Sequence, residues 1–146
     1  SSCVAVISVG GATEVEMTER KHRNDDALEA VRSAQEEGII GGGGTALLRA
    51  SHKLDEQTIA TKIIQAACAS PVKQMAENAW LSADIITNQI LNADDDSGWD
   101  FKNDELANLY ETGIVDPVKV TRIALQNAVS CAGTLITTNY GIIQTE

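Results

Sequence analysis

Four consecutive glycines at positions 41–44 are the first feature of this sequence that suggests chemistry. Residues without a Cβ let the backbone approach a flat or charged ligand closely. The run is not a Walker phosphate loop, because no Gly-Lys-Ser or Gly-Lys-Thr follows it, and it is not a dinucleotide fingerprint, because a helical pattern precedes it. Alone, it fits either a ligand-binding turn or a tightly packed joint between helices.

Asp26 is a candidate general base on a predicted long helix. Its neighbours at i+4 and i+7 are Ala30 and Ser33, whose small side chains leave space beside the carboxylate. A carboxylate with space and no permanent partner can orient or deprotonate a water molecule. The alternative is a solvated helix surface on which Asp26 pairs with Arg23. Asp25 points about 100° away, so the two acids do not form a proton-sharing pair.

The segment 113–117 contains a third candidate, Asp116, directly before Pro117. This pair is typical of a helix N-terminus, with Asp116 as the cap and Pro117 in the first turn. A capping Asp can also meet ribose hydroxyls when a nucleotide lies alongside it. Both interpretations remain open on these residues alone.

Histidine and cysteine suggest no metal site in this chain. His22 and His52 are isolated, and the three cysteines lie far apart without a CxxC pair. Such spacing argues against zinc and against a disulfide framework. We therefore expect no metal ligands here and reduced thiols, as in a cytoplasmic protein.

Helical patterns connect the candidate residues, with strand-like stretches at the two ends. Thr13 and Glu16 form a capping box that starts a helix over 14–37, and Gly38 is its natural stop. The other predicted elements are strands over 4–9 and 135–143, a helix from Thr45, a helical stretch over 57–91 interrupted at Pro71, a turn over 92–97, a hairpin over 99–106, a short helix over 106–112, and a last helix from Asp116 to about Ala132. The predicted fold class is mainly α.

Composition narrows the choice of partners. The chain has 146 residues, of which 43% are hydrophobic, and a net charge of −10. A nucleic-acid-binding protein needs a basic face, and none is visible. No apolar run reaches the roughly 18 residues of a membrane span, and acidity disfavours anionic membranes. We expect neither nucleic acid nor a membrane as a partner.

Taken together, several segments resemble the group I chaperonins, the GroEL-type sixty-kilodalton family. They follow the family order and cover essentially the whole chain: GGATEVEM at 10–17, DAL at 26–28, AQEEG at 34–38, GGG at 42–44, GIVDP at 113–117 and LITT at 135–138.

The resemblance implies a multihelical fold in which residues 1–37 belong to the intermediate domain and residues 38–146 form the C-terminal half of the equatorial ATP-binding domain. It implies an ATP-dependent chaperonin that assists protein folding, with ATP and Mg²⁺ as cofactors. The implied partners are other chaperonin subunits in rings, a small cochaperonin and unfolded client proteins.

The resemblance also assigns site residues. Asp26 falls at the position that acts on the water attacking the γ-phosphate. The positions that hold adenine and ribose are Gly43, Asp100, Phe101, Ile114 and Asp116.

The family's phosphate loop and metal-binding Asp fall in segments that this sequence does not contain. We therefore expect the 146-residue chain alone to bind adenine nucleotides weakly and to hydrolyse essentially no ATP. Two hypotheses follow: a piece of a folding ATPase, or an autonomous half-subunit that acts as an assembly or binding module without turnover. A weaker third is an unrelated helical enzyme that uses the glycine run for a cofactor.

Overall fold

The computed structural model describes residues 4–54 and 58–144, and these form five helices and four short strands. In chain order they are α1 (Glu14–Glu37), β1 (Ile39–Gly41), α2 (Thr45–His52), α3 (Ile59–Asn78), α4 (Ala83–Asn92), β2 (Ser97–Asp100), β3 (Glu105–Asn108), β4 (Val115–Pro117) and α5 (Val118–Ile136). The predicted mainly α fold is confirmed. Within the described residues, no helix is both long and apolar enough to cross a membrane.

Helix α1 begins and ends where its local signals predict. The Thr13 hydroxyl accepts the Glu16 N–H at 3.2 Å, and the Glu16 carboxylate accepts the Ala12 N–H at 2.9 Å. At the other end Gly38 adopts a φ of 85°, and its N–H donates to the Ala34 carbonyl at 2.8 Å. None of the 24 residues of α1 is buried, so its surface is largely open to solvent.

The core lies where α2, α3 and α4 pack together, and its side chains are aliphatic. Its buried members are Leu48, Ala69, Val72, Ala76, Ile86 and Ile90. Trp99 and Phe101 of the β2 hairpin pack against this cluster while remaining partly exposed.

Two antiparallel strand pairs bring distant segments together. Strand β1 pairs with β4, so that Ile40 lies opposite Asp116. The Gly42 N–H continues this pairing by donating to the Ile114 carbonyl at 2.9 Å. Strand β2 pairs with β3 to form the predicted hairpin, with Asp100 opposite Glu105.

The strands predicted at the two ends are not formed. Residues 4–9 have no regular secondary structure, and α5 continues to Ile136, followed by irregular chain to residue 144. A strand needs a neighbouring backbone to satisfy its N–H and C=O groups. No such neighbour lies beside either segment within the part of the chain that the structure describes.

The helix predictions around Pro71 were also wrong in detail. Pro71 lies inside α3, which continues unbroken to Asn78. The ring is exposed, whereas the next residue, Val72, is fully buried, so core packing on one side maintains a helix that the proline opposes. Gln57, the predicted start of this helical stretch, lies outside the described residues.

The true end of α3 is a Schellman motif centred on Trp80. The Leu81 N–H donates to the Ala76 carbonyl at 2.9 Å, and the Trp80 N–H donates to the Glu77 carbonyl at 3.0 Å. Trp80 adopts a φ of 60° and is 97% exposed. Glycine is the usual residue at this left-handed position.

Two further predictions near the C-terminus were wrong. The segment 106–112 is strand β3 followed by a turn rather than a short helix. Asp116 is not a helix cap, because it lies in β4, where it pairs with Ile40. Helix α5 starts after Pro117 without a side-chain cap.

Candidate functional site

The glycine turn, residues 41–44, is closely packed at Gly42 and Gly44 and less crowded at Gly43. A Cβ on Gly44 would lie 2.9 Å from the Val72 backbone nitrogen, and one on Gly42 would lie 3.1 Å from the Ile114 carbonyl oxygen, so these two glycines permit close packing. Gly43 differs, because its nearest neighbour would be the Trp99 carbonyl oxygen at 3.7 Å. Of these three glycines, Gly43 alone could take a Cβ without a close contact, although its φ of 65° still favours glycine.

Asp100 ends β2 and is only 6% exposed. Its Oδ1 accepts the backbone N–H groups of Lys102 at 2.8 Å and Asn103 at 3.2 Å, and its Oδ2 accepts the Asn103 side-chain amide at 2.7 Å. The hydrogen bond from the Lys102 backbone, followed by those from Asn103, lowers the pKa of Asp100, although burial opposes this. Asp100 is therefore a charged group enclosed by its own turn.

Phe101 and Ile114 are both half-buried. Phe101 packs against the helical core. Ile114 is fixed through its backbone, since its N–H donates to the Leu109 carbonyl at 2.8 Å and its carbonyl accepts the Gly42 N–H. Ile114 is therefore attached to the glycine turn through its backbone.

Asp116 differs from Asp100 because its carboxylate has no hydrogen bond or ion pair within residues 4–54 and 58–144. Asp116 as a residue is exposed, but the partial desolvation of its carboxyl group raises the pKa of that group. It lines a cavity of about 240 Å³ together with Gly41 and Gly44. An unpaired acceptor beside the glycine turn can receive a hydrogen bond from a ligand.

Asp26 is exposed on α1, and the pairing with Arg23 that would explain it as a surface residue is not formed. Arg23 binds Glu19 instead, at 2.7 Å. One helical turn beyond Asp26, Ala30 lines a second cavity of about 210 Å³, which Asp116 also lines. The structure thus places Asp26 on the helix face that leads to Asp116.

The comparison with known sequences identifies the family. The sequence model described as the TCP-1/cpn60 chaperonin family matches residues 1–146. This chain belongs to the TCP-1/cpn60 chaperonin family. A solved structure, the crystal structure of a group III chaperonin in the open state, is similar to it with a TM-score of 0.78 and 25% identity. The match covers 92% of this chain and 30% of that chain, so this chaperonin chain spans under a third of that relative's length. The group I assignment stays a prediction.

Two ion pairs that the sequence reasoning missed join α1 of the chaperonin chain to α5. Lys119 contacts Glu36, and Arg122 binds Glu37 through two nitrogens at 2.6 and 3.0 Å. The hydrogen bond from Arg122 lowers the pKa of Glu37. Because about 85 residues separate the partners, no local pattern could have indicated them. They fix α1, and with it Asp26, relative to the strand that carries Asp116.

Arg49 was also missed, although it connects the glycine turn to the hairpin. It lies on α2, and its Nη2 donates to the carbonyls of Ile90, Asp94 and Ser97 at 2.8, 2.5 and 2.9 Å. Its side chain is only 13% exposed. These bonds close the C-terminus of α4 and hold the start of β2, at whose end Asp100 lies.

Metal ligands are not grouped in the described part of the chaperonin chain. No cluster of three or more His, Cys, Asp or Glu residues occurs among residues 4–54 and 58–144. Cys68 and Cys131 are both free thiols. The six predicted site residues remain predictions about a nucleotide. Asp100 and Asp116 lie in strands, Phe101 directly follows β2, Ile114 directly precedes β4, Gly43 lies in the turn between β1 and α2, and Asp26 lies on α1.

Proposed function

We propose that this chain is part of an ATP-dependent chaperonin that assists protein folding, in which it supplies the hydrolytic carboxylate and one wall of the nucleotide site. One observation supports the proposal most directly: Asp116, whose carboxylate has no partner among the described residues, lines one cavity with Gly41 and Gly44 and a second cavity with Ala30, one helical turn from Asp26. Family membership supplies the class of ligand.

The nucleotide wall that we propose is formed by residues that suit an adenine nucleotide in three respects; they are Gly43, Asp100, Phe101, Ile114 and Asp116. Asp116 has a carboxylate with no internal partner, and it can accept hydrogen bonds from two ribose hydroxyls. The backbone at Gly43 carries no Cβ, so a flat base can approach it closely. We place the half-buried apolar side chains of Ile114 and Phe101, together with the turn at Asp100, at the border of the same space.

Asp26 fits the role of general base. An exposed carboxylate without a partner in the described residues can accept a proton from the water that attacks the γ-phosphate. Bound Mg²⁺ would neutralise phosphate charge, which supplies much of the catalysis in phosphoryl transfer. Since the described residues contain no ligand cluster for this ion, we assign the phosphate and Mg²⁺ ligands to the rest of the subunit.

We also propose a division into two domains, which the resemblance implies. We assign residues 1–37 to an intermediate domain and residues 38–146 to an equatorial half. Helix α5 leaves Val120 51% and Val129 53% exposed, and Leu135 and Ile136 more so. Apolar side chains at such exposure favour coverage by further protein, which supports a larger subunit over an autonomous half-subunit.

We further propose the partners and the compartment that the group I resemblance implies. These are other subunits in rings, a small cochaperonin and unfolded clients, in the cytoplasm. Two free thiols, one of them exposed, are consistent with a reducing compartment.

The test is ATP hydrolysis by the full-length protein at saturating ATP, with Asp26→Ala compared with Asp25→Ala. Removing a positioned base typically slows a reaction by about 10²–10⁴-fold, and we expect this loss for Asp26→Ala with nearly unchanged ATP affinity. Asp25→Ala removes the same charge about 100° around the helix and should retain near wild-type turnover.

A second variant separates binding from chemistry. Asp116→Ala should weaken ATP binding before it lowers the maximal rate, measured as the ATP concentration at half-maximal hydrolysis. Equal rates for Asp26→Ala and Asp25→Ala would remove Asp26 from the mechanism. Robust Mg²⁺-dependent turnover by the 146-residue chain alone would contradict the division of the site between two parts of the subunit.

A further inference from the structure

We propose that Asp100 and Asn103 form a positioning pair that fixes the hairpin turn in the nucleotide wall, and that the Asp100 carboxylate does not itself contact the base. That the ligand is a nucleotide rests on the proposed function. The state of the turn does not, because it can be measured without a nucleotide.

The hydrogen bonds of Asp100 account for both of its oxygens. Oδ1 receives two backbone N–H groups, from Lys102 at 2.8 Å and from Asn103 at 3.2 Å. Oδ2 receives the Asn103 side-chain amide at 2.7 Å. With 94% of the residue removed from solvent, the carboxylate is directed into its own turn rather than into open space. A base at the wall would have to break one of these bonds to use it.

The same bonds determine the backbone shape of the turn. The Asp104 N–H donates to the Asp100 carbonyl at 2.8 Å, and Asp104 adopts a left-handed φ of 57°. A non-glycine residue in that region costs about 1–2 kcal/mol, so the turn needs side-chain support to hold it. The Asp100 carboxylate accepts hydrogen bonds from the backbone N–H groups of Lys102 and Asn103, two and three residues further along the chain, and this Asx-type arrangement provides the support. The Asn103 side-chain amide donates to the second carboxylate oxygen.

The residues directly before and after Asp100 connect the turn to the nucleotide wall and to the helical core. The Trp99 carbonyl oxygen lies 3.7 Å from where a Cβ of Gly43 would stand, and Phe101 packs on the helical core. A change in the turn therefore alters the space beside Gly43, where we place the base. No local sequence pattern indicates this role of Asn103, because an Asn next to an Asp is ordinary in any surface turn.

Direct recognition and positioning differ in their effect on base selectivity. A carboxylate that faced adenine would accept a hydrogen from its exocyclic amino group and would repel the corresponding oxygen of guanine. An amide at the same place could donate to that oxygen, so Asp100→Asn would then admit GTP. A carboxylate that only holds the turn has no such influence, because Asn retains an oxygen that can accept the two backbone N–H groups.

The first experiment measures ATP and GTP dissociation constants of the full-length protein. Asp100→Asn should keep the ATP to GTP ratio and most of the affinity, since the Asn103 amide can rotate to present its oxygen. Asp100→Ala and Asn103→Ala should weaken both nucleotides by the same factor, about 3- to 10-fold. The double alanine variant should be no weaker than Asp100→Ala, because the two residues act as one unit.

The matched control is Asn88→Ala, on the exposed surface of α4. The Asn88 side chain accepts the Asn92 side-chain amide at 2.6 Å, so this variant also removes one Asn side-chain hydrogen bond. It should bind ATP as the wild type does. A tenfold gain in relative GTP affinity for Asp100→Asn would overturn the proposal, and so would Asn103→Ala with the same affinities as Asn88→Ala.

The second experiment is amide hydrogen exchange of the nucleotide-free protein. The N–H groups of Lys102 and Asn103 should be protected in the wild type and in Asp100→Asn, and should exchange at least about tenfold faster in Asp100→Ala. Unchanged exchange in Asp100→Ala would refute the positioning role. If the wild type binds no ATP while this exchange pattern holds, the proposed function fails and the positioning pair remains.

Discussion

Replacing Gly44 by alanine tests whether the glycine turn depends on the close approach of α3. Gly44 has a φ of 74°, and a Cβ there would lie 2.9 Å from the Val72 nitrogen and 3.1 Å from the Met75 methyl carbon. The left-handed conformation costs a non-glycine residue about 1–2 kcal/mol. Overlap with a packed helix adds about 1–3 kcal/mol, because the backbone at Val72 cannot move as a flexible side chain can. We expect Gly44→Ala to lower the free energy of unfolding by about 2–5 kcal/mol.

The chain offers a matched control for the conformational part of this cost. Gly113 has a φ of 73°, and a Cβ there would meet nothing within 4 Å. Gly113→Ala should therefore cost only about 1–2 kcal/mol. Urea denaturation of the 146-residue chain, followed by circular dichroism, measures both variants. Equal losses for Gly44→Ala and Gly113→Ala would refute the argument that α3 packs on the turn.

Two further predictions concern the contacts around α1 and α3. The pKa of Glu37 is lowered in the folded chain, so its contribution to stability is present above the ordinary Glu pKa and is lost as the pH falls through the lowered value. Glu37→Gln should remove this part of the pH dependence of the urea midpoint, whereas Glu29→Gln, whose partner Arg32 lies on the same helix, should leave the α1–α5 contact intact. Trp80→Gly should raise the free energy of unfolding by about 1 kcal/mol, because glycine has no penalty at the left-handed end of α3. A loss of stability in this variant would show that the exposed indole has a stabilising contact.

Signals confined to a few neighbouring residues predicted the fold best. The bounds of α1 follow from Thr13 and Gly38, whose effects extend over one turn of chain. The prediction at Pro71 was wrong because burial of neighbouring side chains outweighed the loss of one backbone hydrogen bond, and burial cannot be seen in the proline itself. The predicted end strands needed partners that β-branched composition cannot supply.

The candidate site was only partly predictable for a related reason. The sequence indicated the glycine run and Asp116 as separate candidates, and the pairing of β1 with β4 brings Gly41 and Gly44 to the cavity that Asp116 lines. The roles of Arg49 and Asn103 depend on which carbonyls and carboxylates fold near them. The resemblance named Asp100 as a ligand-binding position, and this stays a prediction; what the sequence did not indicate is that its carboxylate accepts hydrogen bonds within its own turn.

Helix α1 is attached near its C-terminal end, so a rotation at that end displaces its residues in proportion to their distance from Gly38. At 1.5 Å per residue, its 24 residues extend about 36 Å from the Gly38 pivot to Glu14. A rotation of about 10° there would move the far end by about 6 Å and Asp26, halfway along, by about 3 Å. That distance is about the length of one hydrogen bond, enough to bring a carboxylate into or out of reach of a water molecule. The ion pairs of Lys119 with Glu36 and of Arg122 with Glu37 lie beside Gly38, so they hold the end of α1 about which such a rotation would occur.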